Sequence, residues 1–191
     1  FTLTNTTLLI GVETDTLTGI ETAALTGGDG NNTLDASAYG GSVMLDGGAG
    51  DDTLIGTANG DILIGGAGAD TLKGGNGNDV YSFDADSPLG SDTINESAVG
   101  GTDTLDFSDT SSLDITVDLS RATAQQVNAN LTLTLSAGNV IENAVGGSQN
   151  DTLAGNDLAN ILHGGAGHDS LAGGLGNDTL MGGSGQDRVV E

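Results

Sequence analysis

Four nine-residue blocks follow one another without a gap: GGAGDDTLI (47–55), GTANGDILI (56–64), GGAGADTLK (65–73) and GGNGNDVYS (74–82). Further along the chain the same period returns as GGSQNDTLA (146–154), GNDLANILH (155–163), GGAGHDSLA (164–172), GGLGNDTLM (173–181) and GGSGQDRVV (182–190). An isolated copy, GGDGNNTLD, lies at 27–35. Six of these ten copies carry Gly at positions 1, 2 and 4 and Asp at position 6, and all ten carry an apolar residue at position 8. A fixed short period of this kind marks a solenoid.

Each block divides by its own chemistry. The first six residues are too glycine-rich for a strand, whereas TLI, ILI, TLK or TLM suits a short one. Side chains alternate across a strand, so Leu54, Leu63, Leu72, Leu153, Leu162, Leu171 and Leu180 are predicted to point inward, with their neighbours outward. Two turn-plus-strand units make an 18-residue coil that stacks on the next through parallel strands. The predicted fold is all-β, a β-solenoid with about two nonapeptides per coil and a thin core. Stacked at roughly 4.8 Å per strand, such a chain would form a rod on the order of 50 Å long.

Composition supports this architecture. Among 191 residues there are 34 glycines, one proline and 3% aromatic residues, which leaves little for a bulky core. Acidic residues outnumber Lys and Arg by 27 to 3, for a formal charge of −24. Such a surface repels phosphates and anionic headgroups, so neither nucleic acid nor membrane insertion is expected. With no cysteine there is no disulfide framework and no thiolate metal site. The chain opens at Phe1 with no signal segment, and both ends read as cuts in a longer parent chain.

Four segments follow: N-terminal coils with one degenerate repeat at 1–46, the first repeat run at 47–82, strand-rich coils without the motif at 83–145, and the second run at 146–191. Alternating stretches at 102–108, 113–119, 131–135 and 139–145 read as strands within the third. Gly74 and Gly146 lie 72 residues apart, eight repeat lengths, so the second run resumes in phase and one continuous solenoid is expected. The eleven residues 36–46 break the phase by two.

One buried leucine per nine residues is little return for ordering a glycine-rich backbone. Stacking also places each position-6 Asp near its counterpart eighteen residues on, where two carboxylates about 4 Å apart repel by roughly 1 kcal/mol in water and about 4 at an effective dielectric of 20. A cation between the loops reverses that sign. All the available ligands are oxygens, which suits a hard ion, and flexible glycine loops rarely give the short octahedral distances of magnesium. Several Ca2+ ions are the expected cofactor.

The GGxGxDxUx blocks resemble the RTX (hemolysin-type) calcium-binding nonapeptide repeats. That resemblance implies a right-handed parallel β-roll and a site between successive coils. In it the earlier loop offers carbonyls at positions 2 and 4, the later loop carbonyls at 1 and 3, and both loops the position-6 carboxylate. Carried over, one site joins Gly48, Gly50 and Asp52 to Gly65, Ala67 and Asp70. A second joins Thr57, Asn59 and Asp61 to Gly74, Asn76 and Asp79, with its inner glycine displaced by one. In the second run, Gly147, Gln149 and Asp151 face Gly164, Ala166 and Asp169. Next, Gly165, Gly167 and Asp169 face Gly182, Ser184 and Asp187, so that Asp169 bridges two ions. A weaker site pairs Asn156, Leu158 and Asn160 with Gly173, Leu175 and Asp178, because Asn160 replaces a carboxylate. Asn32 departs likewise, at a spacing of 20 from Asp52.

No enzyme motif is present: there is no HExxH, GxSxG or cysteine nucleophile, and the two histidines, His163 and His168, sit at outward or variable positions. The glycine loops carry Asp and lack a P-loop Lys. Tyr39, Tyr81, Phe83 and Phe107 read as core or coil-junction packing. The TLT triplets at 2–4, 16–18 and 132–134 read as ordinary outward positions. The resemblance further implies a secreted bacterial protein, extracellular or at the cell surface, exported by a type I system, whose C-terminal signal is not visible here. Two functions follow: a calcium-triggered folding and spacer module, or an adhesion module binding an extracellular ligand such as glycan or ice on the same scaffold.

Overall fold

The computed structural model describes residues 1–97 and 99–190. Among them every regular element is a strand. No helix is long and apolar enough to cross a membrane, a statement that does not bear on β-barrels.

Sheet B runs the length of the solenoid. Its eight strands, in spatial as in chain order, are β4 (Thr22–Gly28), β6 (Ser42–Ala49), β8 (Ile62–Ala67), β10 (Val80–Ser82), β12 (Thr104–Asp106), β16 (Asn143–Val145), β18 (Ile161–Gly167) and β20 (Thr179–Gly185). All their pairings are parallel, as expected for strands that each begin a new coil. On the opposite face, sheet A stacks β5 (Thr33–Ala38), β7 (Thr53–Ile55), β9 (Thr71–Lys73), β11 (Gly90–Ile94) and β15 (Leu131–Leu135). Sheet C continues that face with β13 (Thr116–Asp118), β17 (Thr152–Ala154), β19 (Ser170–Ala172) and β21 (Arg188–Val189). The fold is thus a parallel β-solenoid of about eight turns, and both repeat runs lie on one unbroken sheet.

Position 8 packs the interior. Leu45, Leu63, Tyr81, Leu105, Ala144, Leu162 and Leu180 occupy one register line of sheet B. Of the seven leucines predicted to face inward, six are buried, and Leu180 at the terminal coil is partly buried. Tyr39, Tyr81, Phe83 and Phe107 are buried too, and the Phe83 and Phe107 rings stack at 5.3 Å between centroids. Tyr81 replaces the usual leucine, and its hydroxyl accepts from Gly74 N–H at 2.8 Å and donates to Glu96 Oε1 at 2.7 Å. That leaves the buried oxygen satisfied.

Two regions differ from a run of 18-residue coils. At the N-terminus, β1 (Thr2–Thr4), β2 (Thr7–Ile10) and β3 (Glu13–Thr16) pair antiparallel along the edge of sheet A. In the middle, the coil from Tyr81 to Leu105 takes 24 residues and that from Leu105 to Ala144 takes 39. The longer one reaches β13, returns through β14 (Gln125–Gln126), antiparallel to β15, and only then enters β16. The eight strands of sheet B consequently span roughly 35 Å at about 4.8 Å each, less than the 50 Å expected from uniform coils.

Leu105 lies at 0% exposure in the middle of sheet B, between the two runs. Leu105→Ala should cost about 2–5 kcal/mol, the range for emptying a buried leucine site. Urea unfolding in saturating calcium should show this as one earlier transition for the whole chain. Two separated transitions would mean that the runs unfold independently.

Candidate calcium sites

Strand pairing brings the position-6 acids into columns. In the first, Asn32 N–H donates to Asp52 Oδ1 (2.7 Å), Asp52 N–H to Asp70 Oδ1 (2.8 Å) and Asp70 N–H to Asp92 Oδ1 (3.1 Å). A second runs from Val43 through Asp61, Asp79 and Asp103 to Glu142, with bonds of 2.8, 2.8, 2.9 and 2.7 Å. A third runs from Ile115 through Asp151 and Asp169 to Asp187, at 2.7, 2.9 and 3.0 Å. Every bond ties one coil to the carboxylate of the next, so one oxygen of each acid is committed to the stack.

In five loops the other side-chain oxygen of position 6 faces a carbonyl. A methyl added to Gly47 would strike both Asp52 Oδ2 and the Gly65 carbonyl oxygen, so those two oxygens converge on one point. Gly56 marks the same convergence of Asp61 Oδ2 with the Gly74 carbonyl, Gly146 that of Asp151 with Gly164, and Gly164 that of Asp169 with Gly182. At Gly155 the pair is Asn160 Oδ1 and the Gly173 carbonyl. These are the five loop pairs expected from the sequence. The carbonyls of Gly48, Gly50, Thr57, Asn59, Gly147 and Gln149 face the glycine eighteen residues on, and those of Asn156, Leu158, Gly165 and Gly167 do the same. Of the position-3 residues, Ala67 has its carbonyl engaged by Gly50 N–H (2.8 Å), Ala166 donates to the Gly147 carbonyl (3.1 Å), Asn76 and Leu175 lie exposed in their loops, and Ser184 is exposed near the end of β20.

Backbone conformation at position 2 decides which acids are left without a partner. Gly48, Gly66, Gly75 and Gly165 have φ of +93°, +92°, +108° and +105°, a region closed to most side chains. In those loops Asp52, Asp70, Asp79 and Asp169 each keep a buried Oδ2 with no hydrogen-bond partner among the described residues. Where position 2 has no positive φ, its N–H turns back onto the loop's own position-6 side chain. Thr57 N–H donates to Asp61 Oδ2 (2.6 Å), Gly147 N–H to Asp151 Oδ2 (2.6 Å) and Asn156 N–H to Asn160 Oδ1 (2.8 Å). Asn160 is further satisfied by donating to the Glu142 carbonyl at 2.7 Å.

An unpartnered buried carboxylate oxygen is costly unless the group is neutralised. Burial accordingly pushes Asp79 up to about 7, and it raises Asp151 to about 6 although Gly147 N–H partners its Oδ2, against donated backbone hydrogen bonds that lower both. Asp61, Asp70 and Asp169 are raised for the same first reason. Among the described residues no three His, Cys, Asp or Glu side chains converge on one point. The donor set is therefore two carboxylates with backbone carbonyls, all hard oxygens, and it fits calcium better than a soft metal.

Asp92 and Asp103 were not anticipated as members of the columns, since their segment lacks the full motif. Their signal is the triplet that follows a retained position-4 glycine, Gly90 or Gly101: DTI at 92–94 and DTL at 103–105 repeat positions 6 to 8 of the blocks. The Asn32 to Asp52 spacing of 20 also proves harmless, because Thr33 still pairs with Thr53 and Leu34 with Leu54. The surplus lies beyond, in the strand and turn that carry the chain from Leu34 to Leu45. His163 is half-buried on sheet B, and exposed His168 accepts from Gln186 N–H through Nδ1 at 2.9 Å.

A solenoid whose turns line up buried carboxylates against backbone carbonyls has the donor set of a metal-binding β-roll. The family model of the RTX calcium-binding nonapeptide repeat (4 copies) matches residues 55–87, 136–157 and 154–189. Over those stretches, under half of the chain, the sequence is similar to the RTX repeats, which indicate a calcium-binding β-roll; that repeat family is structural and not an enzyme family. No curated protein matches the chain.

Proposed function

We propose that the chain is a calcium-triggered folding module of a secreted bacterial protein, open before export and closing into the β-roll outside the cell. The observation that carries this reading is the set of buried Oδ2 atoms of Asp52, Asp70, Asp79 and Asp169, which have no hydrogen-bond partner among the described residues. A cation stabilises them and a metal-free stack does not. Sites built from two carboxylates and carbonyls fall in the range of about 10⁻⁴–10⁻³ M typical of extracellular modules. Such affinity leaves the chain unfolded at cytoplasmic calcium and folded outside, since binding only the native state stabilises it. Export by a type I system suits a chain kept open in this way. In this reading residues 1–46 begin the roll, 47–82 and 146–191 carry the metal, and 83–145 join the two runs. Circular dichroism in chelator and then in millimolar calcium tests it: the strand signal should appear in the second condition. A full strand spectrum in chelator, unchanged by calcium, would sink the reading.

A second reading, an adhesion module, draws on one feature of sheet A. The TLT triplets do not align with one another, but Thr33, Thr53, Thr71, Thr93 and Thr134 stand in register on five successive strands. Their side chains form a row of hydroxyls on the outer face. If this row binds an extracellular ligand, the calcium-loaded chain should be retained on a glycan array or in ice, and Thr71→Lys should abolish retention. Retention unaffected by that change would place the ligand elsewhere.

A further inference from the structure

The first acid column does not stop where the repeats stop. Asp92 lies outside every matched repeat, on the motif-less segment, yet its Oδ1 takes the Asp70 N–H as Asp70 takes that of Asp52. It is 2% exposed, and its Oδ2 is the fifth buried carboxylate oxygen without a partner among the described residues.

The loop at 87–92 explains why no N–H reaches it. Position 2 of this loop is Pro88, the one proline of the chain, which has no N–H to turn back as Thr57 does on Asp61. The next two donors are committed elsewhere, Leu89 and Gly90 N–H both reaching the Asn130 carbonyl at 3.0 and 2.9 Å. Ser91 N–H donates to the Gly68 carbonyl at 3.1 Å. The neighbouring Asp86 is already held by Ser111 and Ser112, both through hydroxyl and backbone N–H. Gly90, with φ of +102°, stands against the Gly68 carbonyl as Gly68 does against that of Gly50.

We propose that loops 65–70 and 87–92 hold an additional calcium ion, with Asp70 and Asp92 as its carboxylate ligands. The proposal rests on the calcium-binding reading of the roll. It extends the metal column into the segment that joins the two runs, and makes Asp70, like Asp169, a bridge between two ions. Burial raises Asp92 to about 7, as expected for a carboxylate left beside Asp70 without a counter-charge.

Native mass spectrometry of the full chain at saturating calcium tests it by counting ions. Asp92→Asn should carry one ion fewer than the wild type, while the charge-matched change Asp109→Asn, at an exposed site, should leave the count unchanged. Pro88→Ala touches no ligand side chain but restores a position-2 N–H, and should raise the calcium concentration needed to fill one site. An Asp92→Asn count equal to that of the wild type overturns the proposal. Should that variant fail to fold in calcium, a Pro88→Ala titration superimposable on the wild type overturns it instead. If the wild type itself binds no calcium, the reading of the whole roll fails, which is a separate outcome.

Discussion

Stripped of calcium at about pH 8, the chain should lose most of its strand signal, and acidifying the same metal-free sample to about pH 5 should restore part of it. The reason lies in the direction of the pKa shifts. Burial pushes Asp79 and Asp92 up to about 7 and Asp103 and Asp151 up to about 6, from an ordinary 3.8. The metal-free fold therefore holds protons that the unfolded chain has already released over that interval. A group of this kind contributes stability that is fully present below its unfolded pKa and is lost as pH rises through its folded one. The contribution disappears from roughly pH 4 upward and is gone above about 7. Calcium takes over the neutralising role of those protons, so binding near pH 6 should release protons into the medium, and the calcium midpoint should fall between pH 6 and 8. Circular dichroism of the chelated chain across this range, with calorimetry in two buffers of different ionisation enthalpy, checks both statements. A metal-free spectrum independent of pH would show that the carboxylates do not limit the fold.

The repeats made the solenoid legible because nine residues fix both the turn and the inward leucine. Leu54, Leu63 and Leu72 could be placed in the core from their position alone, and they are at 0% exposure. The continuity of the two runs could also be anticipated, though on a weaker basis. The phase is kept because coils of 24 and 39 residues happen to sum to 63, seven repeat lengths, and neither coil is itself a multiple of nine. Periodicity cannot register the excursion through β14 and β15, because alternating apolar residues specify strands and not their order in a sheet. The N-terminal stretch poses the same problem: TLTNTTLLI reads as strand in either case, and the turns decide that it pairs antiparallel.

The candidate sites were legible by loop and less so by ligand. Which loops face each other follows from spacing, and the five expected pairs all have converging oxygens. Whether an acid is free for a cation depends on the φ of a residue four positions earlier. That is visible in the sequence at Thr57, a β-branched residue that cannot readily adopt a positive φ, but not at Asn156 or Gly147, which could and do not. There the neighbour is Thr110, whose carbonyl lies where a methyl of Gly147 would be. Asp92 shows the converse. Its loop lost two motif glycines, at positions 1 and 2, but the proline that replaced one of them leaves the carboxylate as open as those of the intact repeats.

A single methyl at position 2 should separate these roles, and Gly66→Ala is expected to weaken the first run severely. With φ of +92°, Gly66 occupies backbone space that costs an L-residue at least about 1–2 kcal/mol. Its new Cβ would also be driven into the Gly48 carbonyl oxygen, on a backbone that cannot give way without opening the β6–β8 ladder. If the loop relieves the strain by turning to negative φ, the position-2 N–H swings toward Asp70, as Thr57 N–H does to Asp61, and closes the carboxylate against the ion. Stability and calcium affinity should therefore fall together. Gly30→Ala supplies the contrast, since φ there is not positive and a methyl would meet nothing within 4 Å; it should be neutral or slightly stabilising, by about 0.4–1 kcal/mol at most. Urea unfolding at saturating calcium and a calcium titration of both variants give the comparison. If Gly66→Ala lost stability but kept the affinity of the wild type, the position-2 backbone would matter for stacking alone, and its proposed control of the carboxylate would be wrong.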